Sequence, residues 1–558
     1  MRAILTALCL LFALPAAAEI RPPIVAAAHP LAAEAGMNIL KRGGSAVDAA
    51  IAVQAVLTLV EPQSSGIGGG AFMLHWRASD GQLDAYDGRE TAPAAATPQL
   101  FLREDGTPLG FFEAVVGGRA VGAPGVLSML ELAHRDHGKL DWKALFQDAY
   151  RLSAEGFEVT PRLHYLLTRD TYLQLSPTAR PYFYGDEGRP WPVGHLLKNP
   201  ELAETFAAIA TDGAAALKTG PIAEAIVEAV RNHEGNPGLL TLDDLAGYEA
   251  KRREPVCIDY RANRVCGMPP PTSGGVTVAQ ILGMLRHLPV GPAGPGTAKA
   301  VHLISEAEKR AYADRGLYLA DSDFVDVPVR QLLDADYLKD RAAGIDPART
   351  SGDAEPGAIR KKAEFDPGAD LAQPATTHFS IVDADGNAVS MTSSVENAFG
   401  SRLFVKGFIL NNQLTDFSFS PTGEDGTAIA NRVEPGKRPR SSMSPTIVLD
   451  DGGGFRLAIG SPGGSRIIGY VAKTLVGVLD WNLSVQAAID LPHHTDRNGP
   501  VDLEDGTAIT GLQSALEAMG HEVKPRTLNS GLHGIEFVNG TWRGGADPRR
   551  EGVVLSAD

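Results

Sequence analysis

Apolar residues recur at helical spacing in three long stretches of the chain. The first, Ala46 to Val60, reads as a buried helix, and Ser45 with Asp48 stands at its start with capping-box spacing, although Asp is a weaker partner there than Glu. Ala300 to Tyr318 and the segment IIGYVAKTLVGVLDW, which begins at Ile467, carry the same period. Between them the pattern changes to strict alternation. THFSIVDADGNAVSMTSS, from Thr377 to Ser394, predicts a hairpin turning at Asp385-Gly386. With those two as the central turn residues, facing positions have numbers of constant sum, so Thr377 faces Ser394 and Thr376 faces Val395. A second hairpin is predicted from Pro445 to Gly460, turning at DGGG and running into SPGGSR. The region after residue 376 therefore reads strand-strand, strand-strand, helix, which suggests two sheets with helices outside. From Glu19 to about Phe365 the chain reads as helix-rich with Gly and Pro punctuation. The polar stretch FDPGADLAQPA then predicts an exposed loop ending at Thr376. No repeat or low-complexity tract interrupts this order.

The first residues, MRAILTALCLLFALPAAAE, form a leader: one Arg, an apolar run from Ala3 to Leu14, and small Ala16 and Ala18 before a cut expected after Ala18. The apolar run is shorter than the roughly 20 residues needed to span a bilayer. Residues 1–18 are thus expected to be a signal peptide, the mature chain periplasmic or secreted, and no segment inserted in a membrane. The 558 residues are 44% hydrophobic and 21% charged, ordinary for a globular protein with ample core. A net charge of −16 with no basic stripe argues against nucleic acid as a partner. Of the three cysteines only Cys257 and Cys266 survive removal of the leader. They flank CIDYRANRVC, which alternates like a turn between two strands, and both a disulfide and two buried thiols fit that pattern.

A threonine hydroxyl is a poor nucleophile unless a base takes its proton, and the residue's own α-amine serves when the threonine is N-terminal. That amine titrates near 7.7–8.0, suited to work around neutral pH. Thr376 meets the requirement if the Ala375-Thr376 bond is cut, and its place between a polar loop and a strand suits such a cut. Spacing alone leaves it an ordinary strand-opening threonine.

The motifs TTHFSIVDADGNAVSMT, NNQLTDFS, KRPRSSMSPTIV and GSPGGSRI occur in order, preceded by YDGRETAP and MPPPTSGG and followed by GGADPRREG. Over nearly the whole mature chain this series resembles the γ-glutamyltransferase family. The resemblance implies an α+β N-terminal-nucleophile hydrolase fold, a four-layer αββα sandwich built jointly by a large subunit (19–375) and a small subunit (376–558) that pair as a heterodimer after autoproteolysis. It also implies roles. Thr376 attacks a γ-glutamyl amide such as that of glutathione, and water or an amino acid or peptide acceptor takes the acyl group. Ser394 positions the new N-terminus, and Gly463 and Gly464 form the oxyanion hole, which fits a Gly-rich turn opening a helix. Arg89, Ser441 and Ser442 take the substrate α-carboxylate, while Gln413 and Asp416 take the α-ammonium. Glu396 stands where well-known members carry Asn. A carboxylate there could accept from the ammonium or mark a different acyl group. The segment Phe419 to Arg440, matching the family's lid, is short and lacks Tyr, which leaves transfer against hydrolysis open. No metal or organic cofactor is required, because nucleophile and base come from one residue.

Other signals fail their context. GIGGGA at Gly66 to Ala71 resembles a dinucleotide fingerprint, but the residues after it alternate like a strand. G-x-S-x-G and H-E-x-x-H do not occur, and the adjacent His493 and His494 lack spaced ligands for a metal. The rival readings are a β-lactam side-chain acylase or other amidase of the same family, and an inactive binding protein for γ-glutamyl peptides.

Overall fold

The two hairpins expected after residue 376 lie at the centre of the molecule, one in each of two stacked sheets. The computed structural model describes residues 22–359 and 375–557. The expected leader and the polar stretch up to Pro374 lie outside the described residues.

The elements that build the layers run in chain order as β1 (Ile24–Ala27), α1 (Pro30–Lys41), α2 (Ala46–Val60), β2 (Gly70–Arg77), β3 (Gln82–Gly88), α3 (Val126–His137), β4 (Lys251–Arg253), β5 (Val256–Tyr260) and β6 (Asn263–Gly267). They continue as α4 (Gly274–Leu285), α5 (Ala298–Tyr318), β7 (Thr377–Val382), β8 (Ala388–Ser394), β9 (Thr446–Asp450), β10 (Phe455–Gly460), α6 (Ile467–Leu479), β11 (His533–Val538), β12 (Thr541–Ala546) and β13 (Val553–Ser556). One sheet has the order β13-β1-β7-β8-β2-β3-β4 and the other β12-β11-β10-β9-β6-β5. Pairing is antiparallel throughout both. Each sheet takes strands from both sides of residue 376.

Alternation along β7 and β8 explains the layering. Phe379, Ile381, Val389 and Met391 face one way and join Val47, Ile51 and other residues of α1 and α2 in one core. The intervening His378, Ser380, Ser390 and Thr392 are equally buried but polar; His378 lies within hydrogen-bond reach of Thr392 and Ser380 in its own sheet, and the two serines bind across to the second sheet. Ser390 Oγ donates to the Ile459 carbonyl at 3.1 Å and accepts from Thr446 N–H at 3.1 Å, while Ser380 Oγ donates to the His533 carbonyl at 3.2 Å. Val448, Leu457 and Ile459 share a second core with Ile281 and Leu282 of α4 and Val471 and Leu475 of α6. The architecture is the expected α+β sandwich, helix-sheet-sheet-helix.

The helix from Ala46 begins as the sequence indicates. Ser45 Oγ accepts from Asp48 N–H at 3.1 Å, and Asp48 Oδ2 accepts from Ser45 N–H at 2.9 Å. That carboxylate also accepts from the N–H groups of Lys139 at 2.9 Å and Leu140 at 3.0 Å, so one buried side chain ties α2 to the chain after α3. Every residue of α2 is buried, which accounts for its almost wholly apolar sequence. Cys257 and Cys266 face each other across β5 and β6 and are disulfide-bonded, which settles the alternative left by the sequence. Among the described residues no helix is long and apolar enough to cross a membrane.

One expectation is corrected. The β7–β8 turn is a three-residue loop, not a two-residue one: Val382 pairs with Ala388 and Thr377 with Ser393, so facing numbers sum to one less than expected. Asp383, not Asp385, organises it. Its Oδ1 accepts from the N–H groups of Asp385 at 3.0 Å and Asn387 at 2.9 Å, and Gly386 takes φ 85°, the left-handed residue of such a loop.

Asp48→Ala leaves three N–H groups, the buried one of Ser45 and the part-buried ones of Lys139 and Leu140, without their acceptor. It is expected to lower stability by about 3 kcal/mol or more, read as a shift of the urea unfolding midpoint.

Candidate functional site

Strands β2, β7 and β8 end together, and that edge carries the threonine singled out by sequence. The corrected register sets Thr376 directly opposite Ser394, whose own neighbour on the other side is Gly70 of β2. A one-residue change of register reverses which face a side chain occupies, so this detail decides whether the two hydroxyls meet. They do: Thr376 Oγ1 and Ser394 Oγ are 3.0 Å apart and both residues are buried. Ser394 Oγ also accepts from Glu396 N–H at 2.9 Å. Thr376 has φ 134°, a region costly for a β-branched residue, and its carbonyl accepts from Arg550 Nη1 at 2.8 Å. Ala375, the last residue of the polar stretch, is itself buried.

The turn after β10 closes the site from the second sheet. Gly463 and Gly464 have φ 139° and 61°, and a Cβ on Gly463 would lie 2.7 Å from the Tyr470 ring, so this turn accepts only glycine at that point. A short 3₁₀ turn, Gly464–Arg466, then leads into α6.

A polar cavity lies between these elements. Its wall includes Thr376, Ser394, Gly464, Glu396, Gln413, Asp416, Ser441 and Ser442, together with Arg315, Arg440, Met443 and Ile467. Gly463 and Arg89 are not on the wall itself. Arg89 is wholly buried behind Asp416: Nη2 donates to Asp416 Oδ2 at 2.5 Å and to the Arg440 carbonyl at 3.2 Å, and Nε donates to the Pro439 carbonyl at 3.1 Å. Gln413 Nε2 donates to Asp416 Oδ2 at 3.1 Å, while Gln413 Oε1 is buried with no hydrogen-bond partner among the described residues. Glu396, at φ 79°, accepts from the Asn412 amide. The segment from Phe419 to Arg440 is anchored at both ends. Phe419 stacks on Phe101 with ring centroids 4.5 Å apart, and Asn431 donates to the Asp416 carbonyl at 2.7 Å and accepts from Arg440 N–H at 2.9 Å.

Three cations at the site escaped the sequence reading. Arg315, near the end of α5, donates to Ser442 Oγ at 2.7 Å and Ser273 Oγ at 2.8 Å. Its helix is buried on nearly all sides, so apolar spacing alone could not show which polar residues point inward. Arg440 donates to the Arg315 carbonyl at 2.9 Å, favourably placed at a helix C-terminus, and its adjacency to Ser441 was the available signal. Arg550 comes from GGADPRREG, which resembles the family without naming a contact.

Burial sets the electrostatics around the cavity. Arg550, fully enclosed, is pulled down to about 9 by desolvation, with the positive charge of Arg162 adding to the effect. Glu61, which accepts from Thr377 Oγ1, is pushed up by burial against the opposing pull of Arg162 and Arg550. Glu90 lies with its Oε2 3.8 Å from Arg89 Nη1, and burial raises it to about 8 despite that guanidinium. His378, between the sheets, is held well below its usual value by burial and stays neutral.

Residues 32–557 match the family described as Gamma-glutamyltranspeptidase. The chain is similar to the glutathione hydrolase proenzyme of Escherichia coli (strain K12), 38% identical over 538 residues that cover 94% of this chain and 90% of that one. To the glutathione hydrolase proenzyme of Bacillus subtilis (strain 168) it is 36% identical over 546 residues, 95% of this chain and 91% of that one. Among solved structures, the cephalosporin acylase from Bacillus halodurans aligns with a TM-score of 0.84 at 27% identity, covering 99% of this chain and 100% of that chain. With this likeness running the length of the fold, and with its motifs gathered around one buried cavity, the chain belongs to the γ-glutamyltranspeptidase family.

Proposed function

We propose that this protein is exported to the periplasm or beyond, is cut between Ala375 and Thr376 into two chains that stay paired, and then cleaves γ-glutamyl amides such as glutathione. The observation that carries the reading is the 3.0 Å approach of Thr376 Oγ1 to Ser394 Oγ inside a buried polar cavity. Because both sheets take strands from either side of residue 376, cleavage there leaves the layers interlocked.

In the proposed reaction Thr376 Oγ attacks the amide carbon while the freed α-amine of the same residue takes the hydroxyl proton. Backbone N–H groups of the Gly463-Gly464 turn are the proposed donors to the developing oxyanion. Collapse expels the amine, which receives that proton, and leaves a γ-glutamyl ester on Thr376. Water, or the amine of an amino acid or peptide, attacks the ester and regenerates the hydroxyl. Ser394 orients the nucleophile. The substrate α-ammonium is met by Glu396, Asp416 and the unpartnered Gln413 Oε1, and its α-carboxylate by Ser441 and Ser442, with Arg89 fixing Asp416 from behind.

A second reading, an acylase acting on glutaryl-type side chains, draws on the likeness to the Bacillus halodurans cephalosporin acylase. A glutaryl group has no α-ammonium, so it would leave the acceptors of Glu396 and Gln413 without a cation, a costly arrangement in a buried site. This favours the γ-glutamyl donor.

Intact mass and N-terminal sequencing test maturation: wild type gives chains starting near Glu19 and at Thr376, and Thr376→Ala stays whole. A whole wild-type protein that binds γ-glutamyl peptides without turnover would instead support the binding-protein reading. Ser394→Ala is expected to lower kcat about 100-fold on γ-glutamyl-p-nitroanilide, with Ser394→Thr retaining most activity. Glu396→Ala should raise KM for that substrate about tenfold to a hundredfold while leaving glutaryl-cephalosporin turnover unchanged. Faster turnover of the glutaryl substrate than of the γ-glutamyl one by wild type would favour the acylase.

A further inference from the structure

The far half of the β2–β3 hairpin carries a cluster that the chemistry at Thr376 does not use. His75 lies five residues along β2 from Gly70, about 17 Å from the site edge at strand rise. Asp84 of β3 is its direct cross-strand partner, so the two side chains share a face. His137, the last residue of α3, lies over that face with its ring centroid 4.0 Å from that of His75.

One donor atom from each of the three lies within 4.8 Å of the others. Asp84 Oδ2 is 3.2 Å from His137 Nε2 and 3.8 Å from His75 Nδ1. These separations bracket the roughly 3.4 Å expected between two ligands that each sit about 2.1 Å from a tetrahedral ion. Asp84 Oδ2 and His75 Nδ1 are both buried, and among the described residues their polar neighbours are each other, His137 and Arg77, with no backbone group completing either. An Asp–His pair formed only to hold the hairpin would satisfy at least one of these atoms. The imidazoles are enclosed, with side-chain exposures of 2% for His75 and 8% for His137, while Asp84 is 31% exposed. Asp84 thus sets the cluster at the edge of the protein, within a layer of water, although Oδ2 itself is covered.

The surroundings fix the rings. Tyr86 Oη lies 2.8 Å from His137 Nε2 and donates to Asp136 Oδ2 at 2.7 Å, and Asp136 is held by Arg252 Nε at 2.8 Å. With the Tyr86 proton committed to Asp136, His137 Nε2 donates to Tyr86 Oη while it carries the ring proton, and it offers a metal its lone pair once that proton sits on Nδ1. The competing cation is Arg77, with Nη1 3.6 Å from Asp84 Oδ2, but its Nε is already engaged by Asp80 at 2.8 Å. Two imidazoles and a single carboxylate, with no thiolate, suit Zn²⁺, Ni²⁺ or Co²⁺ better than Cu⁺, Ca²⁺ or Mg²⁺.

We propose that His75, Asp84 and His137 form a divalent transition-metal site, matched to Zn²⁺, that clamps the end of α3 onto the β2–β3 hairpin and takes no part in the reaction at Thr376.

Tag-free protein, stripped with a chelator and dialysed, would be titrated with Zn²⁺ by calorimetry and with Co²⁺ by visible absorption. Wild type is expected to take up about one equivalent of Zn²⁺, to show Co²⁺ ligand-field bands, and to melt at a higher temperature with Zn²⁺ present. Asp84→Asn and His137→Gln, checked for folding by circular dichroism, should each weaken Zn²⁺ binding about 100-fold with γ-glutamyl-p-nitroanilide turnover unchanged. Wild type that binds no stoichiometric Zn²⁺ or Co²⁺, or folded variants that bind as wild type does, would overturn the site.

Discussion

The antiparallel pairing of β7 with β8 has to fall in one register for Thr376 Oγ1 to reach Ser394 Oγ. Side chains alternate faces along a strand, so a slip of one residue would send one of the hydroxyls to the other side of the sheet. Asp383 and Gly386 hold that register from the opposite end of the hairpin, through the three-residue loop that the Asp383 carboxylate closes. The turn and the proposed nucleophile are therefore two ends of one constraint. Arg550 adds a third point by holding the Thr376 carbonyl in a backbone conformation that a β-branched residue does not adopt unaided.

Around this register the protein buries polar side chains between its sheets and pairs them across the gap. The face of β7 and β8 that meets the second sheet is lined with His378, Ser380, Ser390 and Thr392 rather than aliphatic side chains, and hydrogen bonds to backbone of the other sheet replace the apolar contact usual between stacked sheets. Nearer the cavity the buried charges come in sets. Arg89 is divided between Asp416 and two carbonyls, and Arg315 between two serine hydroxyls. Such sets fix the cavity wall before any substrate arrives, because moving one member strands the others in a low-dielectric interior.

The shared sheets connect architecture with the proposed maturation. Strands β1 to β6 come from before residue 376 and β7 to β13 from after it; the two groups are interleaved in the first sheet and adjoin at β9–β6 in the second, so neither piece contains a complete sheet. Fixing an internal threonine in place before a bond is cut beside it is what such a fold permits, since the cut releases a terminus without releasing a strand.

By itself the sequence determined the element types near the site, the second hairpin, the capped and buried helix from Ala46, and, through ordered motifs, which residues converge. Those are local matters of period, turn chemistry and composition, or of long motifs that survive unchanged in the text of the chain. The tertiary structure alone decided the three-residue turn, the Cys257–Cys266 bond, the position of Arg89 behind the cavity wall rather than on it, and the presence of Arg315, Arg440 and Arg550. It also decided the meeting of His75, Asp84 and His137. The reason is physical: which buried cation meets which distant acceptor depends on contacts between residues tens to hundreds of positions apart, and a one-dimensional period carries no record of them.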